Sequence, residues 1–325
     1  MNVTSVAARP ESQLGVAKGA RVAVLIPCFN EEVAIGRVVE DMRRALPSAT
    51  IYVYDNNSRD GTVKVAAAAG AVVRSEPRQG KGNVVRRMFA DIDADAYVLV
   101  DGDATYDAAS APAMVALLLK ERLDMVVGCR VHTAAEAYRP GHQFGNVMLT
   151  SVVAWLFGKS FTDILSGYRV FSRRFVKSFP ALAKGFETET ELTVHALELR
   201  MPIMEVETPY GARPEGSTSK LSTYGDGFRI LRLILNLYKH ERPLLYFGAL
   251  AALLALAAVA LGIPIILEYA RTGLVPRFPT AILATGITIL ASLSFTAGII
   301  LETVTRGRQE LKRLAYLQVP LHEDA

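Results

Sequence analysis

The segment Asp101-Gly102-Asp103 places two carboxylates one residue apart, directly after the apolar run Tyr97-Val98-Leu99-Val100. Such a run is typical of a buried strand, so both carboxylates are expected at its carboxyl end. Their oxygens suit Mg²⁺ or Mn²⁺, hard cations that proteins commonly share with substrate phosphates. Taken alone, the pattern is equally compatible with a solvated turn between a strand and a loop.

Two further segments combine an apolar strand with polar turn residues at its end. One runs from Val24 to Glu32, and the other joins the strand-like Thr50–Tyr54 to Asp55–Thr62. If the three strands are parallel neighbours, their carboxyl ends converge on one crevice. This convergence favours a binding site over an ordinary turn at Asp101–Asp103.

Strand-like and helix-like patterns alternate through the first two hundred residues. Strands are predicted at 21–26, 50–54, 71–74, 97–100 and 125–128, and helices at 31–45, 62–69, 80–92 and 111–121. In the first helix, the apolar positions are Val33, Val38, Val39 and Met42. This rhythm predicts an α/β fold in which helices cover a mostly parallel sheet.

Two long apolar segments lie near the end of the 325-residue chain. Leu244–Leu267 and Phe278–Leu301 contain no charged residue, and about 24 residues of helix span roughly 36 Å, enough to cross a hydrocarbon core of about 30 Å. A pair of buried core helices is the alternative, which their length and all-round hydrophobicity disfavour. The sequence therefore predicts a transmembrane hairpin.

The basic residues that flank the hairpin predict its orientation. They are Arg229, Arg232, Lys239 and Arg242 before the first span, and Arg306, Arg308, Lys312 and Arg313 after the second. The connecting loop, Glu268 to Arg277, carries only two basic residues, Arg271 and Arg277. The positive-inside bias therefore predicts a two-span membrane protein with the large α/β domain and both termini in the cytoplasm.

The predicted domain organisation follows these composition shifts. The segments are a disordered 1–20, a cytoplasmic α/β domain at 21–228, a basic juxtamembrane helix at 229–243, two transmembrane helices at 244–302 and a cytoplasmic tail at 303–325. The net charge of +4 is modest, so the basic flanks are expected to meet anionic lipid rather than nucleic acid.

Seven motifs occur in an order that resembles a known family. They are Pro27–Glu31, Asp55–Thr62, Gly80–Gly82, Asp101–Asp103, Gly128–Arg130, Asp163–Arg169 and Arg213–Lys220. The first four resemble the signature of family 2 glycosyltransferases, which have the GT-A fold, a Rossmann-like, mostly parallel sheet. The last three resemble the dolichyl- or polyprenyl-phosphate sugar synthases, including members with a carboxyl-terminal membrane hairpin.

This resemblance implies inverting transfer of one hexose, glucose or mannose, from UDP- or GDP-hexose to a polyprenyl phosphate such as undecaprenyl or dolichyl phosphate. It also implies a homo-oligomer, with a tetramer as the candidate state, and dependence on Mg²⁺ or Mn²⁺. A divalent ion would neutralise the charge that develops on the diphosphate leaving group.

The resemblance also implies roles for individual residues. The catalytic residues are Asp103, Asp163 and Arg130, and the metal ligands are Asp101, Asp103 and Thr105. The nucleotide sugar is assigned to Pro27, Phe29, Glu31, Asp55, Asn56, Lys81, Asp101, Gly102 and Asp103. The lipid phosphate is assigned to Arg130, Arg169, Arg213, Ser217 and Lys220, because guanidinium and ammonium groups suit phosphate oxygens.

Three assignments stay open at this stage. Relatives commonly carry two aspartates where this chain has Asp55-Asn56, so an asparagine there leaves UDP and GDP both open. Asp163 could instead cap a helix around Ile164–Tyr168. Among the alternating Glu187, Glu189 and Glu191, Glu191 matches the recurring glutamate of the family best, with a structural or a sugar-contact role.

Two other functions were weighed against the sequence. A processive polysaccharide synthase would carry a Gln-x-x-Arg-Trp motif and more membrane helices, whereas Trp155, the single tryptophan, lies in another context. A membrane-anchored binding protein with a degenerate transferase domain would have lost its charged site residues. Both aspartates and the set of cations are present, which favours the enzyme.

Overall fold

A computed structural model describes residues 19–132, 150–155, 158, 161–181, 187–214, 232 and 235–320. These residues fall into two compact units. The first unit holds the described residues up to 214 together with 312–320, and the second holds 232 and 235–311. Ser217 and Lys220 lie outside the described residues, as does most of the segment 1–20 that was predicted to be disordered.

The first unit is an α/β domain, as the sequence predicts. Its strands are β1 (Val22–Cys28), β2 (Thr50–Asp55), β3 (Val72–Ser75), β4 (Ala96–Leu99), β5 (Met125–His132), β6 (Arg169–Ser172) and β7 (Ile203–Tyr210). Its helices are α1 (Glu32–Ala45), α2 (Thr62–Ala68), α3 (Lys81–Asp91), α4 (Ala111–Lys120), α5 (Arg173–Ser178) and α6 (Thr188–Glu198), with a 3₁₀ turn at Ala108–Ser110. The boundaries of β1–β4 and α1–α4 differ from the predicted ones by one or two residues.

The seven strands form one sheet in the order β3-β2-β1-β4-β6-β5-β7. Strands β3, β2, β1 and β4 pair in parallel, as do β5 and β7. Strand β6 is antiparallel to both of its neighbours, β4 and β5. Because β6 alone is reversed, its amino-terminal end lies at the same edge of the sheet as the carboxyl ends of the other six strands.

Helix α1 shows how the helices cover the sheet. Its buried residues are Ala34, Ile35, Val38, Val39 and Met42, which recur at the three- and four-residue spacing of one helical face. Of these, Ile35, Val38, Val39 and Met42 join buried residues of β1, β2 and β4 in one hydrophobic cluster. Val33, which was predicted to lie on this face, is 58% exposed, because it precedes Ala34 by 100° around the helix.

The second unit contains the two apolar segments as long helices, α7 (Pro243–Thr272) and α8 (Phe278–Leu317). Both are long and apolar enough to cross a membrane by length and composition. Most of their large apolar side chains are exposed, including Leu256, Ile266 and Leu293. Exposed leucine and isoleucine on this scale are typical of a surface that contacts lipid or another protein.

The last residues of α8, from Lys312 onward, belong to the first unit. Lys312 Nζ lies 2.5 Å from an oxygen of Glu198, whose side chain has no solvent exposure. The Tyr316 hydroxyl donates to Asp124 at 2.8 Å, and the Arg174 guanidinium stacks 4.8 Å from the Tyr316 ring centre. A segment predicted to be a cytoplasmic tail therefore supplies a counter-charge to the buried side chain of Glu198 and a hydrogen bond to buried Asp124.

His195 lies on α6 in an apolar environment. The rings of Phe175 and Phe179 both approach it at 5.3 Å between centroids, and Nε2 lies 3.1 Å from Ser178 Oγ. Burial, followed by the charge of Lys312, lowers the pKa of His195 from 6.5 to about 3. The folded protein therefore holds a neutral imidazole at any pH near neutrality.

The free energy of unfolding is expected to fall as the pH drops from 6.5 towards 3. In this range the unfolded chain protonates His195 and the folded chain does not, which costs about 1.4 kcal/mol per pH unit. The measurement is denaturant unfolding of the intact protein and of His195→Gln, whose amide can still bond Ser178. On acidification the free energy of unfolding should fall more steeply for the wild type than for His195→Gln, and parallel pH profiles would contradict this.

Candidate active site

We call the end of the sheet that holds the carboxyl ends of β1–β5 and β7 the polar edge, and the predicted motifs lie there. The segments after β1, β2, β4, β5 and β7 all leave the sheet there, and residues 163–168 reach the same edge because they lead into the reversed strand β6. Ligands in open α/β sheets bind beyond the carboxyl ends of the strands. The topology thus brings the Asp101–Asp103, Gly128–Arg130, Asp163–Arg169 and Arg213 regions to a single site.

Asp101 is held by a buried cation. Lys81, the first residue of α3, places Nζ 2.5 Å from Asp101 Oδ1 and 2.5 Å from Glu189 Oε1. Burial alone would lower the pKa of Lys81, but the charges of Asp101 and Glu189 outweigh it and raise the pKa above its usual value. Lys81 is therefore a permanent ammonium. It was predicted to contact the nucleotide sugar, and in this structure it contacts two carboxylates.

Two glycines leave room for this arrangement. A Cβ on Gly167 would lie 2.4 Å from Asp101 Oδ2, and a Cβ on Gly102 would lie 2.7 Å from Cys28 Sγ. Any larger residue at either position would have to displace these atoms, since Cβ contacts under 3.0 Å are essentially never found. The role of Gly102 is therefore to let the loop pack against β1.

Asp103 lies in a tight turn. Its Oδ1 accepts from the Thr105 hydroxyl at 2.6 Å and from the Thr105 N–H at 3.2 Å, and Ala104 between them has φ 58°. Its Oδ2 lies 2.7 Å from Arg213 Nη2. The Asp103 side chain is only 7% exposed, so these partners replace most of its contact with water.

Arg130 and Asp163 form a forked ion pair. Arg130 Nε donates to Asp163 Oδ2 at 2.6 Å and Nη2 donates to Oδ1 at 2.7 Å. Burial opposes ionisation of Asp163, but the hydrogen bonds and charge of Arg130 outweigh it and hold the pKa of Asp163 below its usual value. Residues 164–168 form turns and irregular chain rather than a helix, so the alternative that Asp163 caps a helix there is wrong.

Arg130 is also surrounded by aromatic rings. Its guanidinium lies 5.6 Å from the centre of the Tyr210 ring, which contacts Tyr106. The Tyr106 hydroxyl accepts from the Gly167 N–H at 2.8 Å, and burial raises the pKa of Tyr106. A neutral tyrosine cluster thus lies beside the cation and connects it to the segment that packs on Asp101.

Arg169 does not lie where a lipid phosphate could reach it. The side chain has no solvent exposure. Its guanidinium donates to the carbonyl oxygens of Ile164 and Ser166 and to the Thr193 hydroxyl, at 2.5, 2.9 and 2.8 Å. The assignment of Arg169 to phosphate is corrected on this ground: a guanidinium spent on buried acceptors fixes the 163–168 segment against α6.

Asn56 organises a loop. Its Nδ2 donates to the carbonyl oxygens of Glu76 and Arg78, both at 2.8 Å, and its Oδ1 accepts from the Gly80 N–H at 2.7 Å. Since both N–H groups and the amide oxygen are engaged and the residue is buried, the predicted contact of Asn56 with a nucleobase is corrected to a structural one. Asn56 holds residues 76–80, which precede Lys81.

The other residues assigned to the nucleotide lie at the ends of β1 and β2. Pro27 and Phe29 are half-buried at the end of β1, and the buried Glu31 donates its N–H to the Thr62 hydroxyl at 2.9 Å. Both carboxylate oxygens of Asp55 accept from the Ser58 N–H. The contact between Glu31 and Thr62 connects the segments that follow β1 and β2.

The donor set at this edge fits a metal ion shared with a ligand. Among the described residues no group of three or more His, Cys, Asp or Glu side chains forms a self-sufficient metal site. Asp101 and Asp103 do offer carboxylate oxygens, and the Thr105 hydroxyl adjoins Asp103. Two carboxylates leave other coordination positions of Mg²⁺ or Mn²⁺ open for diphosphate oxygens.

Sequence reasoning missed Glu189 and Tyr106. Three alternating glutamates precede and begin α6, and Glu191 was favoured, but Glu189 is the one that reaches Lys81. Their helical positions differ by 200°, so only the placement of α6 decides which of the two faces the site. Tyr106 follows Asp103 by three residues, and its proximity to the motif was the available signal.

Comparison with known proteins establishes the family. Residues 23–178 match the family described as Glycosyl transferase family 2. Glycosyltransferase AglJ of Haloferax volcanii is 35% identical over 254 residues, which cover 76% of this chain and 81% of AglJ. The chain belongs to glycosyl transferase family 2, and it is a glycosyltransferase.

Two further comparisons concern a more distant relative and a solved structure. A dolichyl-phosphate hexose transferase of Haloferax volcanii is 27% identical over 221 residues, covering 68% of this chain and 95% of the relative. Glucosyl-3-phosphoglycerate synthase of Mycobacterium tuberculosis, solved with Mn²⁺, UDP-glucose and phosphoglyceric acid, superposes with a TM-score of 0.58 at 23% identity. The superposition covers 73% of this chain and 86% of the synthase, and it confirms the GT-A fold.

Replacing Gly167 by Ala is expected to move the Asp101 carboxylate with little effect on folding. The new Cβ meets the end of a short side chain rather than backbone, so the free energy of unfolding should fall by only about 1 kcal/mol. Displacing a site group by about 1 Å can cost about a hundredfold in rate. Thermal unfolding and sugar transfer measure the two effects.

Gly211→Ala is the matched stability control, because its Cβ would lie 3.9 Å from the nearest atom, an ordinary contact. Wild-type transfer by Gly167→Ala would show that the position of Asp101 does not matter.

Proposed function

We propose that the protein transfers one hexose, glucose or mannose, from UDP- or GDP-hexose to a polyprenyl phosphate with inversion at the anomeric carbon. The observation that carries this proposal is the set of cations at the polar edge, where Arg130 and Arg213 flank the Asp103 turn. A donor diphosphate and an acceptor phosphate are both anions, and guanidinium groups suit the geometry of phosphate oxygens. The similarity to a dolichyl-phosphate hexose transferase supports the acceptor class.

Asp103 is the central residue of the proposed mechanism. It would hold Mg²⁺ or Mn²⁺ together with Asp101 and Thr105, and this ion would neutralise charge on the departing diphosphate. Mn²⁺ beside UDP-glucose in the mycobacterial synthase supports this choice of cofactor. Thr105 orients the Asp103 carboxylate through Oδ1, and Lys81 holds the Asp101 carboxylate in place.

The acceptor requires positioning more than activation. A phosphate monoester already carries negative charge, so the attacking oxygen needs no strong base. Arg130, Arg213 and the sequence-assigned Ser217 and Lys220 would hold it, and Asp163 would fix the orientation of the Arg130 fork. This gives Asp163 a positioning role.

Helices α7 and α8 would anchor the enzyme next to its lipid substrate. Their apolar length supports two membrane spans, and the basic flanks support a cytoplasmic catalytic domain and cytoplasmic termini. A tethered active site meets a prenyl phosphate at raised effective concentration. Small residues that are exposed on both helices, such as Ala252, Ala255 and Gly286, support close packing in a homo-oligomer, for which a tetramer is the candidate.

Asp103→Asn tests the proposed catalytic role. The substitution keeps the size of the side chain and removes its charge, so transfer to a short polyprenyl phosphate should fall by about a hundredfold or more while the protein stays folded. Asp41→Asn is the control, because Asp41 lies on the surface of α1 and pairs only with arginines of the same helix among its described contacts. Full activity of Asp103→Asn in excess EDTA would contradict the proposal.

Donor identity is tested separately. A screen of UDP- and GDP-sugars, read out as released nucleotide diphosphate in the presence of polyprenyl phosphate, should single out a hexose. Glucose and mannose are expected to lead. A strict preference for a pentose or an amino sugar would refute the hexose assignment and leave the transferase class intact.

A further inference from the structure

Arg213 differs from the other cations of the site in where it comes from. Lys81 lies on α3 and Arg130 lies on β5, so both are carried by regular elements. Arg213 lies in 211–214, an irregular stretch after β7. The Gly211 N–H donates to the Thr105 carbonyl at 2.8 Å, which ties the start of this stretch to the Asp103 turn.

The contacts of Asp103 leave little room for another cation. Oδ1 accepts two hydrogen bonds from Thr105, and Oδ2 lies 2.7 Å from Arg213 Nη2. The carboxylate is 7% exposed and Arg213 is 30% exposed. A divalent ion that takes Asp103 as a ligand must approach Oδ2, the oxygen on which the guanidinium sits, at about 2.1 Å.

Resting on the proposed function, we propose that Arg213 is a displaceable counter-ion of Asp103 that competes with the divalent ion for Oδ2. Two cations on one poorly solvated oxygen repel each other, so binding of the ion releases the guanidinium. Lys81 and Arg130 stay in place because regular elements hold them. The freed Arg213 then pairs with a phosphate oxygen, of the donor diphosphate or of the acceptor.

This exchange gives the site an order of events. Before the ion binds, Arg213 neutralises Asp103 and spares the fold an unpaired buried charge. After the ion binds, the same guanidinium becomes available to a phosphate near the reaction centre. Arg213 therefore weakens metal binding and promotes transfer, two effects of opposite sign that a purely structural residue would not combine.

The test is a titration of the intact protein in detergent with Mn²⁺ alone, followed by calorimetry or by the electron paramagnetic resonance signal of free Mn²⁺. Arg213→Gln should bind Mn²⁺ about tenfold more tightly than the wild type, a change typical of coupling between sites, while transfer falls. Arg213→Lys keeps a charge and should remain closer to the wild type, and it also provides a second variant if the glutamine variant folds poorly.

Arg87→Gln is the matched control for a general change in charge. Arg87 is 54% exposed on α3 and pairs with Asp91, so its loss should leave Mn²⁺ affinity unchanged. Two further measurements on Arg213→Gln identify the phosphate. Weaker UDP binding at saturating Mn²⁺ indicates the donor diphosphate, and a raised KM for polyprenyl phosphate with unchanged UDP binding indicates the acceptor.

Unchanged or weaker Mn²⁺ binding by Arg213→Gln would overturn the competition. This outcome is distinct from failure of the proposed metal site, which would appear as Asp103→Asn binding Mn²⁺ as tightly as the wild type. Neither measurement requires the correct sugar donor.

Discussion

The need to neutralise ionised carboxylates that have lost most of their water shapes the polar edge of this sheet. Asp101 and Glu189 share the ammonium of Lys81, Asp163 takes the fork of Arg130, and Asp103 takes Arg213. An unpaired buried charge costs several kcal/mol, roughly 3–5 when one partner is removed. The pairs therefore constrain the surrounding chain as much as they prepare it for an anionic substrate, because each cation must arrive from a different element.

The same constraint extends along α6. Glu189 in its first turn meets Lys81 near Asp101, and Glu198 at its end meets Lys312. Both carboxylates are nearly inaccessible, so both ends of one helix are held by cations from distant parts of the chain. Arg169 adds a third attachment between them through Thr193. The helix thereby links the turn that carries Asp101 to the residues that follow the second apolar segment.

The arrangement of side chains at this edge depends on one reversed strand. Strand β6 runs antiparallel between β4 and β5, and its reversal delivers Asp163, Gly167 and the Arg169 guanidinium to the edge where the other strands end. In an all-parallel sheet the segment 163–168 would lie at the opposite edge. Gly167 could then not pack against Asp101, and Arg130 would lose its fork partner.

Local patterns in the sequence were sufficient for the alternating strands and helices up to β5, for the two apolar helices, and for the positions of the carboxylates at a strand end. These features follow from periodicity and turn chemistry, which act over a few residues. Local patterns did not predict β6, the engagement of Asn56 by three main-chain groups, or the burial of Arg169. The family resemblance favoured Glu191, whereas Glu189 is the glutamate that contacts Lys81. Each of these depends on which distant element supplies a partner, and only the tertiary structure decides that, because buried charges and amides take their partners from across the fold.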